Sequence, residues 1–375
     1  MKLLHIADLH LGKKIKKSEN IRKEINMAQK KSFADVIKYS INKDIEAILI
    51  AGDFFDGENR PLKLEKFILE QFNRLNRFNI KVFYCLGNHD SSNTFTQSFL
   101  SQLPKNVKIF QDKFESVLIK NKVYIHSYGH KNILEDKNLI SNFNNPIDDS
   151  INIGLLHCSV NYNDDIYFPT KLKDLVNKGY DYWSLGHIHK RKRLSENIYY
   201  SGCLQGTSFN DKGKKGANLI EINGKIIDIE FIEFSKIDFI EKKIKIDNTI
   251  NKYNLLKKIK KDFNLSKKTY LIKINLYGNI DILKSELKEM ILEVKDTLMQ
   301  SENILDIDFD YENIYFDFDY KKYINDNNIL GYIDKLFKKP KEIEKLVDEN
   351  NLKIDKPLDE IKKEIFEQMV VIKND

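Results

Sequence analysis

The sequence has little that would tie the chain to an oxidising compartment or to a membrane. Only three cysteines occur among 375 residues, widely spaced and without a CxxC pair (Cys85, Cys158 and Cys203). An odd, scattered set argues against a disulfide framework or a zinc ribbon and is typical of a reducing cytoplasm. No apolar run approaches the roughly 20 residues that a membrane helix needs, and no signal peptide precedes the first apolar run. We therefore expect a cytoplasmic protein without a membrane segment.

A strong excess of one charge is also lacking. Lysine and arginine together number 62 and the acidic residues 56, which gives a formal net charge of +6. This mild balance permits a phosphate-bearing partner but does not require one, because a solvated lysine-rich surface explains it equally well.

The first 235 residues or so alternate between strand-like and helical patterns. Apolar runs rich in β-formers occur at 3–7, 46–51, 81–86, 122–127, 151–156 and 180–185. Between them, 33–41 and 64–75 carry apolar residues at the spacing of one buried helix face. Further on, Asn223-Gly224 separates two strand-like runs and predicts a type I′ hairpin. We expect an α/β sheet structure covered by helices.

The pattern changes after residue 236. Strand-like runs at 242–246, 270–276 and 304–309 alternate with helical patterns at 255–263 and 283–298. The last 55 residues read as helical, with breaks near Pro340 and Pro357. We predict three parts: a main domain at 1–236, a small α+β domain at 237–320 and a helical region at 321–375.

Five short polar motifs follow the apolar runs of the main domain. They are Asp8-Leu9-His10, Gly52-Asp53-Phe54-Phe55-Asp56, Gly87-Asn88-His89-Asp90, Leu156-His157-Cys158 and Gly186-His187-Ile188-His189. Loops at the carboxyl ends of strands build the sites of α/β sheets, so all five motifs can converge. Any one of them could be an ordinary solvated loop, but five in order, each after a strand, indicate a site.

The residue types in these motifs suit metal ions. Carboxylate, imidazole and amide oxygen are ligands for Mn²⁺, Fe²⁺ or Zn²⁺. Two such ions activate a nucleophile and neutralise charge when a phosphoester is attacked in line. A carboxylate must be shared between the ions, and Asp53 is the natural candidate. We predict a phosphoesterase with two divalent ions, Mn²⁺ first and Fe²⁺ as the alternative.

These motifs resemble those of the calcineurin-like metallophosphoesterase superfamily. Within it, "LLHIADLHLGKK", "AGDFFD", "LGNHD" and "LGHIHK" are similar to the SbcD-type DNA repair exonucleases. "GYDYWSLGHIHK" and "YYSGCLQGTSFNDKGKKGANLIEI" are most similar to their YhaO-like type. The resemblance covers about 1–235 and rests on domain order beyond that. It implies a two-sheet sandwich flanked by helices, a small capping domain and C-terminal helices.

The resemblance also implies roles for individual residues. One ion would take Asp8, His10, Asp53 and His189, and the second would take Asp53, Asn88, His157 and His187. His89 would contact the scissile phosphate without binding metal, and Asp90 would orient it. Relatives differ at the position of Asp56, whose supporting or gating role is left open.

The function implied is that of a DNA nuclease for double-strand break repair. It would act on DNA ends as a 3'-5' exonuclease, an endonuclease or both, with an SbcC-like coiled-coil ATPase as partner; a homodimer is left open. The run Lys190-Arg191-Lys192-Arg193 could contact the DNA backbone, whose affinity is largely electrostatic, or be a solvated turn.

Two other functions compete with this one. The chain could be a phosphodiesterase for small nucleotides, or a non-catalytic scaffold that binds DNA ends. The extra domain and helices favour a polymeric substrate and a partner, and the complete ligand set argues against a scaffold. Two apolar helical stripes in the last region would dock on the ATPase or pack on this chain's own capping domain. Their members are Ile329, Leu330, Ile333, Leu336 and Phe337 in one stripe and Leu358, Ile361, Ile365, Met369 and Ile372 in the other.

Overall fold

The structure is a computed structural model that describes residues 1–375 except 58–59, 135, 162–165, 263–267, 302, 317–328, 350–355, 363 and 366–375. The chain divides into two compact units, 1–240 with 268–271, and 241–267 with 272–375. The predicted division at 236 and 320 stays a prediction.

The first unit contains 14 complete strands and four α-helices among the described residues. The strands are β1 Lys2–Ile6, β2 Ala47–Ala51, β3 Lys81–Cys85, β4 Val107–Phe110, β5 Glu115–Lys120, β6 Val123–Ser127, β7 Ile151–His157, β8 Ser159–Val160, β9 Pro169–Thr170, β10 Tyr182–Gly186, β11 Lys192–Ser195, β12 Ile198–Tyr200, β13 Gly216–Asn223 and β14 Ile226–Glu233. The helices are α1 Glu19–Asn42, α2 Leu62–Arg77, α3 Gln97–Ser101 and α4 Leu172–Asn177. Two 3₁₀ turns lie at Ser92–Thr94 and Ile140–Asn142.

Two six-stranded sheets form the centre of this unit. The first has the order β14-β13-β1-β2-β3-β4, in which β1 to β4 run parallel and the β13–β14 hairpin is antiparallel. The second has the order β11-β12-β10-β7-β6-β5, with four parallel strands between two antiparallel edges. The carboxyl ends of the parallel strands therefore meet at one edge of each sheet.

The alternation of side chains along β2 shows how the layers are held. Ala47, Leu49 and Ala51 belong to a core that also contains Ile153 and Leu155 of the other sheet. Ile48 and Ile50 face the opposite side and pack with residues of α1 and α2. Because successive side chains of a strand point to opposite faces, a strand that is apolar throughout can be buried on both faces. The expected fold class, a two-sheet α/β sandwich flanked by helices, is confirmed.

One turn differs from its prediction. Asn223 pairs directly with Ile226, so the two-residue loop is Gly224-Lys225 and not Asn223-Gly224. Of the loop residues only Gly224 has a positive φ, at 64°. A type I′ turn requires positive φ at both central residues, whereas type II′ requires it only at the first. The hairpin is present, but its turn has the pattern of type II′.

The second unit combines a sheet with helices. A three-stranded sheet has the order β15-β16-β17, with β15 Ile237–Ile246, β16 Thr269–Ile280 and β17 Ile304–Phe316. The first residues of β15 and β16, 237–240 and 269–271, fall in the first unit. The helices are α5 Lys252–Asp262, α6 Lys284–Met299, α7 Ile329–Phe337 and α8 Pro340–Glu349. Leu287, Ile291, Val294 and Leu298 form the buried face of α6, as their spacing predicts. No helix in the described parts of the chain has the length and apolarity to cross a membrane.

Candidate metal centre

All five motifs lie where parallel strands of the first unit end. Asp8 and His10 follow β1, Asp53 follows β2 and Asn88 follows β3 of the first sheet. His157 is the last residue of β7, and His187 and His189 follow β10, both in the second sheet. The structure brings the predicted ligands together.

Asp53 lies at the centre of the cluster. Its Oδ2 atom is 3.6 Å from Nε2 of His10 and 3.4 Å from Nε2 of His157. Nε2 of His10 is also 2.9 Å from Nε2 of His189, so two imidazole nitrogens face each other. Nε2 of His157 is 2.9 Å from Oδ1 of Asn88. This arrangement suits a carboxylate shared between two groups of ligands.

The donor atoms fall into overlapping groups. Asp8, His10 and His189 can offer one ligand atom each within 4.8 Å of one another, and so can Asp8, Asp53 and His157. A third such group joins His10 and Asp53 with His89. His187 lies beside the second group, because its ring centroid is 5.3 Å from that of His157. The assignment of four ligands to each ion stays a prediction.

The carboxylates of the cluster attract positive charge. Burial alone would raise the pKa of Asp53, but the neighbouring His157, His10 and His89 hold it well below its usual range. Burial would conversely lower the pKa of His157, but Asp53 and Asp8 raise it. Oδ2 of Asp8 is buried, and no hydrogen-bond donor in the described parts of the chain reaches it. A buried carboxylate oxygen without a donor, beside facing imidazole nitrogens, is a fitting ligand set for divalent ions.

Glycines let the motifs approach one another. A Cβ atom at Gly87 would lie 2.3 Å from Oδ1 and 2.6 Å from the backbone nitrogen of Asp53. At Gly52 a Cβ atom would lie 2.4 Å from Nδ1 of His157, and φ is +79°. Any side chain at these two positions would displace a candidate ligand.

Asp90 has a different role from the expected one. Its buried carboxylate accepts hydrogen bonds from the hydroxyl of Tyr84 and from the backbone nitrogens of Gly87, Asp53, Phe54 and Phe55 at 2.7, 3.2, 2.6 and 3.1 Å. These bonds tie the Asp53 loop to the Gly87 turn. The expectation that Asp90 orients His89 is wrong here, because its oxygens are used by these other donors.

Asp56 is the residue that contacts His89. Its Oδ1 atom is 3.3 Å from Nδ1 of His89 and 3.0 Å from Nδ1 of His10. This hydrogen bond raises the pKa of His89. The sequence left the role of Asp56 open, and the structure places it between a candidate ligand and the candidate phosphate-binding histidine.

The basic run after His189 divides into two kinds of side chain. Lys190 and Lys192 are exposed. Arg191 donates from Nε to Oδ1 of Asn218 at 2.8 Å, and its guanidinium lies 5.1 Å from the ring centre of Phe231. Arg193 donates to the carbonyl of Ser195. Arg193 is exposed as well, so Lys190, Lys192 and Arg193 are the solvent-facing side chains of the run, whereas Arg191 is half-buried.

Two supports of the histidines lie outside the five motifs. Asp211 lies 2.8 Å from Nδ1 of His189, although nothing in its spacing marks it; only the resembling stretch at 199–222 contains it. His130, which is fully buried, donates from Nε2 to the carbonyl of His157 at 2.8 Å. Burial lowers the pKa of His130 to about 3, so its ring is neutral.

A fold of two sheets with this cluster at the strand ends defines a metal-dependent phosphoester hydrolase. The model of the calcineurin-like phosphoesterase family matches residues 1–191, about half of the chain. The chain belongs to this family, as the motifs predicted, and is a metal-dependent hydrolase.

Several curated proteins are similar to the chain. The metallophosphoesterase YhaO of Bacillus subtilis, described as uncharacterized, is 33% identical over 244 residues, 61% of this chain and 59% of YhaO. The chain thus spans less than two thirds of the length of that relative. DNA double-strand break repair protein Mre11 of Methanocaldococcus jannaschii is 28% identical over 333 residues, 78% of this chain and 89% of that protein. The protein of the same name from Sulfolobus acidocaldarius is 25% identical over 316 residues, 79% of this chain and 80% of its own length.

Proposed function

We propose that the chain is a two-metal nuclease that cuts DNA at its ends, as a 3'-5' exonuclease, an endonuclease or both, in double-strand break repair. The observation that carries this proposal is the extent of the likeness to Mre11. It covers 79% of the chain, more than the first unit alone supplies. A phosphoesterase for small molecules would not need a second unit of the same kind.

The residues of the cluster have distinct tasks in this proposal. Asp8, His10, Asp53 and His189 would hold one ion, and Asp53, Asn88, His157 and His187 the other. Bound ions would supply an activated nucleophile and neutralise phosphate charge. The nitrogen and oxygen ligands without thiolate favour Mn²⁺, with Fe²⁺ as the alternative.

His89 would contact the phosphate that is cut. Its side chain is 46% exposed, whereas that of His10 beside it is 4% exposed. It is therefore the most exposed histidine of the cluster, since His187 and His189 are half-buried. Asp56 holds its Nδ1 atom and leaves Nε2 for the substrate. Lys190 and Lys192 would bind the neighbouring phosphates through charge.

The same proposal includes a partner and a compartment. We place the chain in the cytoplasm and assign an SbcC-like coiled-coil ATPase to the helical tail, which would control access of duplex DNA to the metals. A homodimer is compatible with this assembly. The tail carries apolar side chains that the described residues cover only in part, such as Tyr332 and Leu336.

A hydrolysis panel tests the proposal. Purified chain, freed of metal with a chelator, is given linear duplex DNA, single-stranded DNA or bis-p-nitrophenyl phosphate, with and without Mn²⁺. We expect Mn²⁺-dependent cutting of the single strand and of the small diester, and Asp53→Ala should abolish both because it removes the shared carboxylate. Hydrolysis of small nucleotides without DNA cutting would make the chain a small-molecule phosphodiesterase. DNA-end binding without any hydrolysis would make it a scaffold.

A further inference from the structure

The segment between β12 and β13, residues 201–215, runs along the backbone of His189. The amide of Cys203 donates to the carbonyl oxygen of His189 at 3.1 Å, and Nζ of Lys215 donates to the same oxygen at 2.8 Å. Cys203 also forms an isolated parallel bridge with Ala7, which directly precedes Asp8. The segment therefore touches the backbone at two candidate ligands from different sheets.

Gly202 permits this close approach. Its φ is +75°, and a Cβ atom there would lie 2.6 Å from the backbone nitrogen of Arg191 and 2.9 Å from the carbonyl oxygen of His189. A larger residue would push the segment away from His189. Gly202, at the start of the segment, thus allows the segment to lie against the backbone of His189.

Asp211 completes the contact by holding the imidazole ring. Its Oδ1 atom lies 2.8 Å from Nδ1 of His189. Its Oδ2 atom accepts hydrogen bonds from the amide of Thr207 at 2.9 Å, from the Thr207 hydroxyl at 3.1 Å and from the Ser208 hydroxyl at 3.4 Å. The side chain is only 6% exposed. A carboxylate fixed by three donors cannot turn away from the ring.

We propose that Asp211 is a positioning residue of the metal centre, which holds the proton of His189 on Nδ1 and aims Nε2 at the ion. The proposal rests on the proposed function and extends it to a residue outside the five motifs. A carboxylate that accepts from one ring nitrogen fixes the tautomer and the orientation of the other. Nε2 of His189 indeed points into the cluster, 2.9 Å from Nε2 of His10.

Direct ligation by Asp211 is the competing arrangement. Ligand atoms of His189, Cys203 and Asp211 lie within 4.8 Å of one another. However, the nitrogen that faces Asp211 is already hydrogen-bonded to it, and the other carboxylate oxygen is used by Thr207. An ion at that place would have to replace the hydrogen bond between Asp211 and His189, whereas the positioning role keeps this bond and agrees with Nε2 of His189 facing the cluster.

Metal binding by variants tests the proposal. Mn²⁺ titrations, followed by the electron paramagnetic resonance of free Mn²⁺, are compared for the full chain, Asp211→Asn and Asp211→Ala. Loss of a supporting carboxylate typically weakens metal affinity about 10–100-fold. We expect that weakening for one of two Mn²⁺ equivalents, with a smaller effect in Asp211→Asn because its amide oxygen still accepts a hydrogen bond. Turnover of bis-p-nitrophenyl phosphate should recover at high Mn²⁺ concentration.

Asp238→Asn is the matched control. It removes a carboxylate bound to Ser235 and Lys268, at 3.0 Å each, which is no part of the cluster. Both Mn²⁺ equivalents should bind this variant with unchanged affinity. Wild-type binding of both ions by the Asp211 variants would overturn the proposal. Complete loss of one Mn²⁺ equivalent in both variants, without recovery at high Mn²⁺ concentration, would also overturn it, because that result is expected of a direct ligand.

A measurement on the unaltered chain separates this proposal from the proposed function. In ¹⁵N-histidine-labelled, metal-free protein, the neutral ring of His189 should carry its proton on Nδ1, with the signal assigned through His189→Gln. A proton on Nε2 would overturn the positioning role whether or not the Asp211 variants fold. Failure of the unaltered chain to bind Mn²⁺ would instead contradict the proposed function. In that case the tautomer of His189 alone would decide whether Asp211 positions the ring.

Discussion

At the scale of single residues, Asp56 links the two halves of the candidate chemistry. One oxygen of its carboxylate contacts both His10, a candidate ligand, and His89, the candidate phosphate contact. The two rings lie edge to face with centroids 4.8 Å apart. Loss of Asp56 should therefore disturb both rings, whereas loss of His89 leaves the contact between Asp56 and His10 in place.

Replacing His89 should lower turnover without removing metal. A side chain that assists proton transfer or contacts the transition state typically contributes about 10²–10⁴-fold to the rate. We expect that loss in His89→Ala, with Mn²⁺ content unchanged, when kcat and bound metal are measured on the same sample. Asp56→Asn, which disturbs both rings, should lower both quantities. Metal depletion in His89→Ala would show that His89 is a ligand, as the His10, Asp53 and His89 group also allows.

Backbone strain marks the same residues. Asp8, His10, Asp53 and His187 have φ values of 54°, 44°, 49° and 109°. Non-glycine residues rarely adopt such values, and strained positions persist only where the surroundings enforce them. At Asp53 the backbone N–H donates a hydrogen bond to Oδ1 of Asp90, which helps to hold this conformation. Four strained positions among the candidate ligands support the view that this edge was shaped for binding.

At the scale of elements, strand β1 joins the two sheets through a buried histidine. Nδ1 of His5 is 3.0 Å from the hydroxyl of Tyr182, and Nε2 is 3.1 Å from the carbonyl of Leu185, both on β10 of the other sheet. A ring nitrogen near a carbonyl oxygen must be the donor, so Nδ1 accepts from Tyr182. The neutral ring is thereby satisfied on both sides.

This histidine should make the fold sensitive to acid. Burial lowers the pKa of His5 to about 3, against about 6.5 in an unfolded chain. Below pH 6.5 the unfolded chain gains a proton that the folded chain excludes, so stability falls by roughly 1.4 kcal/mol per pH unit. His5→Gln should reduce that slope by the same amount. Urea unfolding of metal-free protein between pH 7 and pH 5 measures it, and parallel stability curves for the two proteins would contradict the assignment.

The elements also show what sequence patterns reveal. The continuous run Ala47–Ala51 is apolar on both faces, which is typical of a strand covered on both sides, and the structure buries both faces. The edge strand β5 escaped notice, since Glu115–Lys120 mixes charged and apolar residues. Asp211 escaped notice for another reason: its partner His189 is 22 residues away, and no periodicity links a loop carboxylate to a distant ring. Asp90 was misjudged because backbone amides, which leave no mark in a sequence, occupy its oxygens.

At the scale of the whole molecule, the helical tail presents partly covered apolar side chains. Within the second unit, Asp334 of α7 pairs with Lys362 at 2.6 Å, so the residues after Pro357 return to α7. Ile333, Leu358 and Ile361 are half-buried, and Tyr332 is 67% exposed. Met369 and Ile372 of the second stripe lie outside the described residues. The Asp334–Lys362 pair thus brings the two segments together, while Tyr332 and Leu336 of α7 stay exposed among the residues described.

Removing the tail should separate catalysis from partner binding. The five motifs all lie in the first unit, so deletion of 325–375 removes no candidate ligand. We expect the shortened chain to bind Mn²⁺ and hydrolyse bis-p-nitrophenyl phosphate and single-stranded DNA at rates near those of the full chain. An apolar helical stripe that docks in a partner's groove contributes affinity only while it is present. Association with the SbcC-like ATPase, and ATP-dependent cutting of duplex ends, should therefore be lost.

A milder variant guards against a trivial result. In Tyr332→Ser with Leu336→Ser, two exposed apolar side chains of α7 become polar while the Asp334–Lys362 pair stays intact. Exposed positions tolerate such changes with little effect on stability, so thermal unfolding should be nearly unchanged while co-purification with the ATPase falls. Undiminished association of the truncated chain would place the interface elsewhere. Insolubility of the truncation, together with normal association of the double variant, would show instead that the stripes serve this chain's own packing.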